Sequence, residues 1–365
     1  MRKNYFLISL SLVVIINLAF FIPSINTSAF CADVIKLKIT NYFPPPSMQS
    51  KIMAEFIGEL ESRTGGRIKV QYFPGGSLLK APATIKGIDS GIADIGLSHI
   101  EYTAGRFPVM EVCELPLGYP TGWVANQVMN DFFYKFKPKE FDKYKMLWFH
   151  ANSPSLLITK KPVRKLADIK GMKIRAPGRM GDVIRALGGV PAPTHIMETY
   201  DAIAKGVIDG VYTPFETLRT FKFAEVAKFV TVSWKIGPSY PFYVAMNKKS
   251  YAKMPPDIKE IFDTLTGEYR DRMALMWNAI EFPGIAFGKK LGVEYIELSD
   301  EESAKWEKAV QPVIENYVKS MTSKGFAESE VREWLKYIKE RSGELLKKQI
   351  FYQIKSPIGP PEVRP

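Results

Sequence analysis

Two cysteines and three histidines in 365 residues leave little material for thiol or metal chemistry. Cys31 falls in the N-terminal segment and Cys113 stands alone beyond it, so no disulfide framework forms. Cys113 lies among apolar residues at 110–116 and reads as a buried structural thiol. No histidine has Cys or His partners at zinc-ligand spacing. A Gly-x-Ser-x-Gly elbow, a phosphate loop and a dinucleotide fingerprint are all missing, and Gly75-Gly76-Ser77 is too short to cradle a phosphate. Asp209 and Glu216 could be called paired carboxylates, but nothing places them across a scissile bond. Asp209, in an Asp-Gly pair, reads as a turn or packing residue. No enzyme chemistry, cofactor or metal is therefore expected. Acids are outnumbered, 38 against 50 Lys and Arg, for a formal charge of +12. The basic residues are scattered beside acids, as in Lys259-Glu260 and Arg270-Asp271-Arg272, and no nucleic-acid motif appears. The positive field suits attraction of small anions instead. Internal repeats and low-complexity segments are absent.

Only one long apolar run is present, over residues 5–23. Arg2 and Lys3 precede it and a mostly small, polar stretch at 24–32 follows, the layout of a secretion signal cut between Ala29 and Asp33. A retained anchor is the alternative, since the run is almost long enough to span a bilayer. A lipid-modified Cys31 is disfavoured by the bulky Phe30 before it. Residues 1–32 contain two basic residues and no acids, so processing takes the formal charge from +12 to +10. The remaining chain, about 330 residues, exceeds one ordinary domain.

Residues 34–40 alternate as a strand. After a rigid turn at 41–46, Ser47 can cap a helix whose buried face is Ile52, Met53, Phe56, Ile57 and Leu60. Strands are expected at 67–73 and 93–97 with a helix at 83–90 between them. A helix at 123–136 precedes strands at 145–151 and 156–159, and a further strand lies at 243–247. A long helix opens at Pro255 or Pro256 and runs to about Ala279 or beyond. A strand at 292–298 leads to the capping signal Ser299-Asp300-Glu301-Glu302, and two amphipathic helices fill 300–348. Prolines forbid a helix through the tail, 349–365. The chain crosses between domains twice. That predicts two discontinuous α/β domains with a cleft: 33–154 with 240–284, and 155–239 with 285–348.

Residues 168–214 organise the rest. Met172-Lys173-Ile174-Arg175 alternates as a strand that Ala176-Pro177-Gly178 breaks before a helix. A second strand is expected at 190–193, a helix at 198–205 and a third strand at 207–211. Strands and helices alternating at this length predict a parallel sheet with crossover helices, whose ligands bind beyond the strands' carboxyl ends. Arg175 stands at such an end with a planar fork that matches a carboxylate. Tyr42 and Phe43 follow the first strand and His99 the third. His150 and His195 read as structural.

The run Leu166-Ala167-Asp168-Ile169-Lys170-Gly171-Met172-Lys173-Ile174-Arg175-Ala176-Pro177-Gly178 resembles the solute-binding subunit of TRAP transporters, the tripartite ATP-independent periplasmic family. So do Glu198-Thr199-Tyr200-Asp201-Ala202-Ile203 and Gly206-Val207-Ile208-Asp209-Gly210, and the segments 62–70 and 87–96. The resemblance implies a two-lobed periplasmic binding protein fold, with hinge strands and a long helix spanning both lobes. It implies a membrane permease as partner, driven by an ion gradient, and a substrate carboxylate held by Arg175. The chain is expected to act as a monomer in the periplasm.

Two other positions depart from the family's sugar-acid binders. Ser155 stands where many have a second Arg, and Thr213 where they have Asn. The missing charge partner speaks against sialic acid or a dicarboxylate. Aromatic candidates are plentiful: Tyr42, Phe43, Tyr212, Phe215 and Tyr240. The expected ligand is a monocarboxylate with an apolar or aromatic body. Its expected site is Arg175, Thr213, Tyr212, Ser155, His99, Tyr42, Phe43, Glu216 and Tyr240. A periplasmic sensor signalling to a receptor would use the same fold and pocket.

Overall fold

Alternating apolar residues make β1 (Ile35–Asn41) a strand. Ser47, whose hydroxyl accepts from the Ser50 amide, starts α1 (Met48–Arg63) where the sequence places a cap. These elements belong to a computed structural model that describes residues 34–365. The secretion signal expected over 1–32, with Cys31, lies outside the described residues.

Next come β2 (Ile68–Phe73), α2 (Thr84–Asp89), β3 (Ile95–His99), α3 (Gly122–Phe136) and β4 (Tyr144–Ala151). The chain then crosses to a second sheet through β5 (Leu156–Thr159). There it forms β6 (Lys173–Arg175), α4 (Met180–Ala186), β7 (Val190–Ala192), α5 (Ile196–Ala204) and β8 (Gly210–Thr213). Short helices α6 (Thr217–Thr220) and α7 (Phe223–Val226) lead to β9 (Phe229–Val232). The chain returns in β10 (Pro241–Asn247), then α8 (Lys248–Ala252), α9 (Pro256–Ala279) and α10 (Glu281–Lys290). It adds β11 (Glu294–Glu297) to the second sheet and ends in α11 (Asp300–Ser323) and α12 (Glu328–Phe351).

The first lobe's sheet has the order β2-β1-β3-β10-β4 and the second's β11-β9-β5-β8-β6-β7. The stretch expected to be parallel is so: β6 runs parallel to β7 and to β8. Each sheet as a whole is mixed. β10 is antiparallel to β3 and β4, and β5 to β8 and β9. The reversed strands are the two that the chain enters from a strand of the other lobe with no α-helix between. They start at the seam between the lobes, where β1, β3, β6 and β8 end, so no crossover helix turns them round.

The third strand of the 168–214 stretch lies at Gly210–Thr213 rather than 207–211. Gly206 adopts φ 72°, Val207 is 61 % exposed, and the Asp209 carboxylate accepts from the Lys173 amide at 2.8 Å. Residues 207–209 are thus a turn that docks β8 on β6, the packing role expected of Asp209. The long helix spanning the lobes is a bent pair. α9 packs on α1, α3 and β4 of the first lobe. Pro283 has no amide hydrogen to continue the ladder, the chain bends at Ile280, and α10 packs on α6 of the second lobe. α12 lies against α3, so it covers the first lobe, whereas the sequence grouping assigns 285–348 to the second. The proline-rich tail is a packed cover, with Ser356, Ile358 and Val363 buried.

Among the contacts between the lobes are two made just after β6. Arg179, after β6, pairs with Glu111 of the first lobe at 2.7 Å. Gly178, at φ 55°, lies so close to Glu101 that a Cβ there would come within 2.9 Å of its Cγ. Cys113 is fully buried, and burial pushes its thiol up, as a structural thiol requires.

Candidate functional site

Arg175 ends β6, the strand from which the order departs to β7 on one side and β8 on the other. Such a switch point opens a crevice beyond the strand ends. The side chain there is only 2 % exposed. Its Nε donates to the Thr194 carbonyl at 2.9 Å, and its terminal nitrogens donate to the Tyr240 hydroxyl at 3.2 Å and the Tyr102 hydroxyl at 3.4 Å. None of these partners is a carboxylate, and no acid ion-pairs with Arg175 among the described residues. A guanidinium does not deprotonate in a protein, so Arg175 stays charged; the buried Glu101 carboxyl feels that charge but makes no ion pair with it.

The walls come from both lobes. The Asn41 side chain accepts from the Phe43 amide at 3.0 Å and donates to Ser50 and Tyr72, turning the chain after β1 so that Tyr42 and Phe43 face the seam. Their rings stack at 4.4 Å. His99, at the end of β3, lies 3.8 Å from the Tyr102 ring, which stacks in turn on His195 at 4.9 Å. Phe242 of β10 stacks on Trp277 of α9 at 5.2 Å. The floor after β8 holds Thr213, Pro214, Glu216 and Thr217, and the buried Glu281 carboxylate accepts from the Glu216 amide at 3.3 Å.

Burial neutralises nearly everything but Arg175. It raises the phenols of Tyr42, Tyr102 and Tyr240, and lowers His99, on which the Arg175 charge also acts. Burial pushes Glu216 up to about 7 and holds Glu101 well above the usual carboxylate range. One fixed cation thus faces mostly neutral groups, with Glu216 poised to ionise near neutral pH.

Arg175, Tyr42, Phe43, His99, Thr213, Glu216 and Tyr240 border a single narrow cavity of about 30 Å³. Tyr212 and Ser155 do not. Strand alternation turns Tyr212 away from Thr213, and its hydroxyl donates to the Ile236 carbonyl at 3.4 Å. Ser155 is fully buried where the chain crosses, its amide bound to the Pro238 carbonyl at 2.9 Å. Phe215 packs toward Tyr295 at 5.6 Å. His150 and His195 both have partners within the fold. Trp277 donates to His150 at 2.7 Å, and His195 caps α5. The sequence reading misses Tyr102, Asn152, Phe242 and Trp277, which also line the cavity. The strand end just before Asn152 was a usable signal, whereas Trp277 reaches the site only through the packing of α9.

The family model for bacterial extracellular solute-binding proteins, family 7, matches residues 39–320. A solute-binding protein of Albidiferax ferrireducens is 26 % identical over 295 residues, 76 % of this chain and 84 % of that one. A TRAP periplasmic solute-binding protein from Desulfovibrio salexigens, in an open complex, superposes with a TM-score of 0.75 at 32 % identity, covering 85 % of this chain and 96 % of that one. A TRAP solute-binding protein from Rhodoferax ferrireducens, in complex with copurified benzoate, gives a TM-score of 0.80 at 25 % identity and covers 86 % and 99 %.

Proposed function

Because the chain belongs to family 7 of the bacterial extracellular solute-binding proteins, the TRAP periplasmic binding proteins, we propose that it captures a monocarboxylate with an apolar or aromatic body through Arg175 and delivers it to a membrane permease. This is a family of transport binding proteins rather than enzymes. Among the described residues no helix is long and apolar enough to cross a membrane. The protein acts as a monomer in the periplasm, exported by its N-terminal signal.

The observation that carries the reading is the buried guanidinium of Arg175, bonded only to a carbonyl and two phenols. A carboxylate is the missing partner, and its pair with Arg175 strengthens once the closed lobes exclude water. The stacked rings around it make a narrow gap that admits a flat or slender body. The Rhodoferax protein, with its benzoate, holds an acid of this shape. The cavity lining holds no Lys and no second Arg, so no second fixed cation awaits a dicarboxylate there.

Native purification followed by mass spectrometry, with a thermal-shift screen of organic acids, tests the reading. A copurified carboxylate with an apolar body, or benzoate-like and branched aliphatic acids raising Tm by mass action, is the expected result. A neutral ligand, or dicarboxylates binding tightly while these acids do not bind, would overturn it.

A further inference from the structure

Glu216 is the unexplained group of the site. It is 3 % exposed, and its Oε2 has no hydrogen-bond partner among the described residues. Its backbone amide is bound to Glu281, but its carboxyl group ion-pairs with nothing there. A buried polar atom left without a partner costs free energy, and native structures keep few of them without a reason. Beside it are Thr220 and the fully buried Gln49, whose side chains lie near enough to draw the Glu216 carboxyl down somewhat, though neither amide atom of Gln49 reaches hydrogen-bond geometry.

The position of Glu216 supplies the reason. It borders the narrow cavity that holds Arg175. It also borders a larger cavity of about 430 Å³, bounded by Pro44 and Lys51 of the first lobe, Arg219 and Lys222 of the second, and Pro283 at the helix bend. Arg175, Tyr42 and Glu216 line that one narrow cavity, yet Arg175 and Glu216 are not an ion pair. A ligand body lying along Tyr42 with its carboxylate on Arg175 therefore presents its other end to Glu216. A carboxyl group accepts hydrogen bonds in either protonation state.

Resting on the reading that Arg175 takes the carboxylate, we propose that Glu216 is a specificity-determining residue. It receives a hydrogen-bond donor, a hydroxyl or an ammonium, carried by the ligand at the end away from its carboxylate. The ligand is then a bipolar acid with an apolar middle. A site built to bond such a donor rejects the analogue that lacks it, because Glu216 would stay unpartnered.

Calorimetric titration at about pH 7 of benzoate and its hydroxy, fluoro, methoxy and aminomethyl derivatives, against the wild type, E216Q, E216L and R175M, tests this. The methoxy compound matches the aminomethyl compound in heavy atoms but has no donor, and fluorobenzoate serves as the donor-free match to the hydroxy compound. The hydroxy or aminomethyl acid should bind about tenfold tighter than its donor-free match in the wild type. That ratio should fall toward one in E216L and persist in part in E216Q, whose amide oxygen still accepts. A preference for hydroxyl over ammonium, or the reverse, identifies the donor. Equal wild-type affinities for donor acids and their donor-free matches would overturn the role of Glu216, as would a ratio undiminished in E216L. If acids bind in an Arg175-dependent way without the donor preference, Glu216 alone is refuted. If R175M binds every acid as the wild type does, the carboxylate reading falls, and this one with it. Unliganded Tm values exclude misfolded variants.

Discussion

Replacing Arg175 by Met keeps most of the side-chain volume and removes the charge. In the unliganded protein the change deletes hydrogen bonds to Thr194, Tyr240 and Tyr102. At about 1 kcal/mol net each, these offer roughly 3 kcal/mol. Against them stands the desolvation of a guanidinium buried without a counter-ion, several kcal/mol in its own right. The two nearly cancel, and Tyr240 keeps its bond to the Tyr212 carbonyl at 2.8 Å. Unliganded R175M should therefore melt within a few degrees of wild type. With ligand the balance differs, because a carboxylate enters the same buried place and finds no cation. Truncating one partner of such a pair costs about 2–5 kcal/mol, a loss of roughly thirtyfold to several thousandfold in affinity. Calorimetry with benzoate and benzamide separates charge from shape. Wild type should prefer benzoate strongly and R175M should lose that preference. R175K should fall between, since a point charge lacks the fork. Benzoate binding R175M within about threefold of wild type would refute the reasoning.

Three further outcomes are expected. His150 is held down to about 3 by burial, against a usual value near 6.5. The unfolded chain takes up a proton there first, so the stability this residue contributes is present above pH ~6.5 and is lost as pH falls toward ~3, by up to about 1.4 kcal/mol per pH unit. Denaturant titrations at about pH 7.5 and 4.5 should show a shallower pH slope in H150Q, and an unchanged slope counts against it. Glu216 has the opposite sense. Its value of about 7 lies above the ordinary carboxylate range, so its contribution is full below pH ~4.5 and lost as pH rises through ~7. E216Q should gain about 1–3 kcal/mol on wild type between those limits, read from the same titrations. G178A places a Cβ 2.9 Å from Glu101 Cγ across the seam, at φ 55°. Lobe closure should suffer more than lobe folding: acid affinity falls about tenfold or more while unliganded Tm drops by a few degrees at most. Wild-type affinity in that variant would mean the seam yields.

Local chemistry made much of this legible. The alternation at 172–175 and the Ala176-Pro177-Gly178 break placed Arg175 at a strand end, where the structure has it. The cap at Ser47 and the strand at 156–159 are likewise as read. β8 was displaced because Val207 and Ile208 look like strand residues, whereas the left-handed Gly206 and the Asp209 bond to Lys173 make them a turn. Tyr212 was assigned to the pocket because its residue type suits a ligand. The alternation that gives Thr213 to the cavity sends Tyr212 to the core. Tyr102, Phe242 and Trp277 meet at the site from a short turn, a returning strand and a distant helix. Sequence period does not encode such meetings, which depend on how the lobes close.

The place of β10 bears on the order in which the molecule assembles. It pairs with β3 on one side and β4 on the other. Until residues 241–247 are available, the first sheet is a three-stranded fragment and a lone strand with nothing between them. The second sheet waits longer, for β11 to add its edge to β9. Neither lobe can be cut out as a contiguous piece, and both close on pairings between residues far apart in sequence. Chains of such topology fold slowly. The strands that stitch the lobes into a hinge therefore also hold back the native state until most of the polypeptide is present.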